Sequence, residues 1–222
     1  HAADVLRSST GTQMSDIDLQ EARDATTASA YRMVTGPQTI TGGLSLWVDI
    51  TWLGPHETGA QVLATAALGA LQRQSGVDTI TLSGAATLPK YAEHLRDLPG
   101  IELRSDDTPM PQADIAWYPN QIDRRSNIAQ ARAQGRRVVT TYLDLIAYDI
   151  PRYHASANDW AAYRHLQRAV ALSVDGITTI SQDVANRLLL EVPQLDASRV
   201  RAIPLGLDHI SVAPREPESD IE

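Results

Sequence analysis

The chain has 222 residues, 43% of them apolar, enough to bury the core of one large domain or two small ones, which excludes wholesale disorder and collagen-like or low-complexity architectures. With 27 acidic against 19 basic side chains its formal charge is −8, a balance that argues against broad binding to nucleic acid, whose phosphates demand a basic surface. The absence of cysteine excludes a disulfide framework, a thiolate metal site and a cysteine nucleophile, and makes the cytoplasm the simplest compartment.

The first residues, His1-Ala2-Ala3-Asp4, show neither a starting Met nor a charged-then-apolar pattern and read as a cut or tag remnant rather than a targeting segment. Residues 1–43 are polar and rich in Ser and Thr, with a helix expected over 15–33 and breakers at Gly36-Pro37 and Gly42-Gly43, so they read as a lead-in. From residue 44 to 210 a strand-then-helix rhythm predicts a single Rossmann-like domain. Its first strand is 46–50, followed by an apolar helix over 59–74 that packs on a sheet.

A second strand at 79–82 leads to a helix over 89–98 with Pro89 at its start, ended by Gly100. Strands follow at 101–103 and 114–118, then a helix over 126–134 closed by Gly135, and a β-branched strand at 137–142. A long helix over 158–173, a strand at 176–180, a helix capped by Ser181 and reaching 190, and a strand at 200–203 complete the series. Seven strands alternating with helices predict an α/β fold with a doubly wound, mainly parallel sheet. Residues 211–222, with Pro214, Pro217 and charges, read as a linker. The richest apolar run, 62–71, is half the about 20 residues a membrane span needs and is broken by Thr65 and Gly69, so no transmembrane helix is expected.

In an open α/β sheet ligands bind beyond the carboxyl ends of the strands, so the loops there carry the candidates. Residues 51–59 (TWLGPHETG) join the first strand to its helix, and Thr58-Gly59 place free backbone N–H groups and the positive end of a helix dipole where an anion could rest. From residue types alone, an ordinary cap and turn is the commoner reading of the same residues. Asp144, at the end of the fifth strand, is placed to orient a hydroxyl or accept a proton, or else caps a turn; Asn120 and Gln121 after the fourth strand offer amides. Ser181 reads as a cap rather than a nucleophile.

Sharper motifs are absent: neither Gly-x-Gly-x-x-Gly nor a P-loop occurs, nor a Gly-x-Ser-x-Gly elbow. The six histidines lack metal-ligand spacing, and Asp16-Ile17-Asp18 precedes every strand at the start of a helix, where acidic residues belong anyway; no metal site is expected. Four Trp and seven Tyr are scattered, as core and cleft wall rather than a stacking platform for nucleic acid.

Three segments resemble the N-terminal, acceptor-side half of a retaining two-domain glycosyltransferase of the GT-B type, the family 4 or group 1 glycosyltransferases. They are Val48-Asp49-Ile50 through Thr58-Gly59-Ala60-Gln61, then 138–145 (VVTTYLDL) followed by Pro151, and 175–181 (DGITTIS) with 200–208 (VRAIPLGLD), the last pair being the most specific. Coverage runs from residue 46 to 208. The resemblance implies transfer of a sugar from a nucleotide-diphosphate donor, without a metal or other cofactor, to an unknown acceptor. It places Thr58 and Gly59 before the donor phosphates, Trp52, His56 and Asn120 at the acceptor, and Asp144 in the catalytic role. The nucleotide-sugar-binding domain would follow residue 222, with 211–222 as hinge, so this stretch alone would be inactive. The implied partners are nucleotide sugar and acceptor, with no nucleic acid; peripheral contact with a membrane stays open. Leu143 stands where the family usually has histidine, and the loop before Gly59 has one glycine where many members have two. Both departures fit a divergent member of the family or a non-catalytic relative, and the missing histidine favours the alternative, a non-catalytic α/β binding or regulatory module.

Overall fold

A computed structural model describes residues 42–84, 87–104, 111–123 and 125–206, with residues 125–127 described by their backbone alone. The expected helix at 15–33, the tail 211–222, the Asp16–Asp18 pair, His1 and His209 lie outside the described residues.

Seven strands form one sheet: β1 (Leu44–Asp49), β2 (Val77–Ser83), β3 (Ile101–Arg104), β4 (Ala113–Tyr118), β5 (Gly135–Tyr142), β6 (Gly176–Thr179) and β7 (Val200–Ala202). All six pairings are parallel, in the order β3-β2-β1-β4-β5-β6-β7. The chain winds outward from β1 to β3, crosses back to β4, and winds outward again to β7. This is the doubly wound fold expected from the alternation of elements, with every predicted strand present to within two residues.

Side-chain alternation divides the core in two. Leu46, Val48, Ile80 and Leu82 point to one side, the α1 face, and are covered by Leu68 of α1 (Gly59–Gln72) together with Leu88, Ala92 and Leu95. Trp47, Ala116, Tyr118, Val138, Tyr142, Ile177 and Val200 point to the other, the α4 face, and meet α2 (Arg125–Gln134), α4 (Ala157–Ser173) and α5 (Gln182–Glu191). A four-residue helix, α3 (Ile146–Asp149), follows β5.

Three local expectations are corrected. Residues Lys90–Asp97 form a 3-10 helix rather than an α-helix. The apolar residues there, Ala92, Leu95 and Leu98, recur every three positions, which lines them up only at three residues per turn. The helix from Gly59 stops at Gln72, with Arg73 as its C-cap, two residues short of the expected end. Gly135 does not close α2 in a loop but is already the first residue of β5, paired with Ala113.

Ser181 is a cap, as its sequence suggests: its Oγ accepts the Val184 N–H at 3.2 Å. Replacing it with alanine strands that donor, and Ser181→Ala is expected to lower stability by about 1 kcal/mol, read from the urea midpoint at unchanged slope.

Candidate functional site

The strand order reverses direction between β1 and β4, where the first half winds one way and the second the other. The loops leaving the carboxyl ends of these strands therefore diverge to opposite faces and open a crevice between them, the usual ligand position in such sheets. Residues 50–58 flank it on one side and residues 119–123 on the other, with the loop after β5 one strand further out.

The β1 loop is anchored by a residue that sequence reading passed over. Asp49 ends β1 with 2% exposure, and its Oδ1 accepts from the backbone N–H of Thr51 at 2.8 Å and from its hydroxyl at 2.7 Å. The Trp52 indole N–H donates to the Asp49 carbonyl at 3.1 Å, so the half-buried ring is held against the strand end. The Tyr91 hydroxyl donates to the Gly54 carbonyl at 2.9 Å, pinning the loop midway, and burial together with the Glu57 charge raises the Tyr91 phenol above its ordinary pKa. His56 is exposed on the same loop.

At the loop's end Thr58 is the N-cap of α1. The Gln61 Oε1 reaches back to accept a hydrogen bond from the Thr58 backbone N–H at 2.8 Å and another from the Thr58 hydroxyl. That cap satisfies part of the helix terminus. The N–H groups of Gly59 and Ala60, in the first turn, have no acceptor within the helix. A Cβ at Gly59 would meet nothing within 4 Å, so the helix is open on that side of its first residue.

Across the crevice the β4 and β5 loops are tied to each other. Thr140 Oγ1 donates to the Asn120 carbonyl at 3.0 Å, and Gln121 Nε2 donates to the Asp144 carbonyl at 2.8 Å. The Asn120 side chain folds back on its own loop, Oδ1 accepting the Gln121 N–H at 2.8 Å. Asp144 Oδ1 accepts the Ile146 N–H at 2.9 Å, a turn bond at the start of α3. The structure thus brings Asn120 and Asp144 together through Gln121, and sets Trp52, His56, Thr58 and Gly59 on the neighbouring loop.

Tyr163 joins this group from α4. Burial, reinforced by the negative charges of Asp144 and Asp123, pushes its phenol up to about 12 from 10.0. The unfolded chain releases this proton near 10.0 while the folded chain keeps it, so stability falls as pH rises from 10.0 towards about 12. Tyr163→Phe is expected to remove this part of the alkaline destabilisation, and ultraviolet titration of the parent should show a tyrosine ionising near 12. Tyr163 carries no local signal: it comes within the influence of Asp144 and Asp123 only through the packing of α4.

Among the described residues no three His, Cys, Asp or Glu side chains are grouped to hold a metal ion, and no helix is long and apolar enough to cross a membrane. A shallow cleft of about 210 Å³, lined by Gln72, Val77, Asp78, Ile80, Pro99 and Gly100, lies at the amino-terminal end of β2, away from the crevice. It is smaller than the roughly 300–1,000 Å³ of a typical ligand site. No protein-family model matches the chain, and no curated protein matches it.

Proposed function

We propose that the chain is the acceptor-side domain of a retaining, two-domain glycosyltransferase of the GT-B type, moving a sugar from a nucleotide-diphosphate donor to an acceptor. The observation that carries this reading is the placement of the α1 N-terminus and the Asn120–Asp144 pair on the loops at and beside one topological switch point. A doubly wound sheet hosts many chemistries, and these residues, not the fold, distinguish this one.

In this reading the Gly59 and Ala60 N–H groups and the helix dipole stabilise the negative charge of the departing diphosphate, and the absence of a side chain at Gly59 lets the phosphate approach the backbone. Trp52, His56 and Asn120 contact the acceptor. Asp144, with one carboxylate oxygen committed to Ile146, orients an acceptor hydroxyl with the other. A second reading, a binding or regulatory module without chemistry, is favoured by Leu143 in the histidine position and by that turn bond of Asp144.

The test is nucleotide release and sugar transfer across a panel of nucleotide sugars, with the full-length gene product run beside the 222-residue chain. Activity in the longer protein and none in the shorter is expected. Gly59→Ile has open space for its side chain and should leave the unfolding midpoint unchanged. In the longer protein it should cut turnover roughly a hundredfold, the scale of losing a preorganised donor to a developing anion. Unchanged turnover removes the phosphate-facing role. Silence of both proteins, correctly folded and without donor binding, selects the module.

A further inference from the structure

An all-parallel sheet is ordinarily covered on both faces. On the α4 face that cover is complete from β4 to β7. On the α1 face, α1 and the 3-10 helix cover β1 to β3, but no described helix stands over β5 to β7. The side chains there form a flat patch. Trp117, Val139 and Gly176 make one row across the sheet, and Thr141, Thr178 and Arg201 the next. Trp117, Val139 and Thr178 are half-buried, while Arg137 and Arg201 are exposed at its borders. The polar atoms within the patch are satisfied internally: the Trp117 indole N–H donates to Thr141 Oγ1 at 3.1 Å, and Thr141 and Thr178 share a bond of 2.8 Å. What the patch offers an occupant is therefore shape and apolar area, with arginines beside it.

We propose that this patch is covered by the chain's own residues 15–33. That segment lies outside the described residues, and three observations select it. Its sequence places Leu19, Ala22, Thr26, Ser29 and Met33 at alternating spacings of three and four, a narrow stripe of small and apolar side chains suited to close approach over Gly176 and Val139. Asp16, Asp18, Glu21 and Asp24 against Arg23 and Arg32 leave it acidic, opposite Arg201. The length also fits: a 19-residue helix measures about 28 Å and β5 about 26 Å. The connection from residue 33 to Leu44 spans up to about 36 Å, whereas β5 lies about 10 Å from β1. Residues 207–222 contain Pro214 and Pro217 and have no comparable stripe.

The absence of cysteine makes the test direct. Single cysteines are introduced into the whole chain at Thr178 or Val139 on the patch, and at Ser198, exposed on the turn before β7, and their rates of maleimide labelling are compared. Thr178→Cys and Val139→Cys are expected to react at least tenfold more slowly than Ser198→Cys. Adding Ala22→Lys with Ser29→Lys should speed both severalfold, with the Ser198→Cys rate unchanged, while circular dichroism stays that of the parent. Equal rates without the lysines overturn the proposal. So does protection that persists with them, which assigns the cover to another part of the chain, and so does protection that falls on dilution, which assigns it to a second copy. Using two patch positions keeps the test decisive if either cysteine impairs folding.

Discussion

Gly135→Val is expected to cost about 4 kcal/mol and to leave the chain partly unfolded at room temperature. A Cβ at this position would lie 2.3 Å from the Ala116 backbone nitrogen and 2.6 Å from the Ala116 Cβ. The first of these is main chain in the neighbouring strand, so no rotamer change relieves the clash; β4 and β5 would have to separate where Ala113 and Gly135 pair. Helix α2 runs into β5 without an intervening loop, which removes the slack that could absorb the shift. Gly135→Ala should already be destabilising, whereas Gly59→Ala, in open space, should not be. Urea unfolding of the three variants gives the comparison. A Gly135→Val midpoint equal to the parent's would mean that β4 and β5 do not approach this closely.

The second large effect is expected at Asp49. Asp49→Ala removes an acceptor that holds both the N–H and the hydroxyl of Thr51, and leaves these groups and the strand end without their partner. Hydrogen bonds to a charged acceptor contribute about 1.5–3 kcal/mol each before relaxation, so a total loss of about 3 kcal/mol is expected. Asp49→Asn keeps an oxygen in the Oδ1 position and should lose less than half as much. Because the residues after Thr51 carry Trp52, His56 and Thr58, Asp49→Ala should also speed amide exchange over residues 51–58 ahead of the rest of the chain, a local opening superimposed on the global loss. Uniform acceleration across the sheet would show that Asp49 acts on overall stability alone.

The capped helix starts were legible because their physics is local. Ser181 and Val184 are three residues apart, and the hydroxyl-to-amide bond between them needs no partner from elsewhere. The 3-10 helix at Lys90–Asp97 was legible in its place but not in its type, since a period of three can be read only after knowing which leucines face the core. At the site, Asn120, Asp144, Thr58 and Gly59 were reachable as residues following strands. Asp49 was hidden inside an apolar run, where a carboxylate looks like an interruption until its bonds to Thr51 are seen. Gln121 was reachable in the same way as Asn120, but its tie to Asp144 was not, and Tyr163 was hidden altogether: Asp144 is 23 residues from the first and on a different element from the second.

The sequence by itself determined that this is an acidic α/β protein whose strands alternate with helices, seven strands lying among the described residues, because strand and helix periods, caps and turn residues act within a few positions of one another. Only the tertiary structure decided the order of those strands, and with it the crevice between β1 and β4, the tie from Gln121 to Asp144, and the patch beside Trp117 that calls for a cover. The physical reason is that parallel strands pair only through crossovers. The contacts that build a site, such as Gln121 Nε2 donating to the Asp144 carbonyl across 23 residues of sequence, form between segments that no local pattern links.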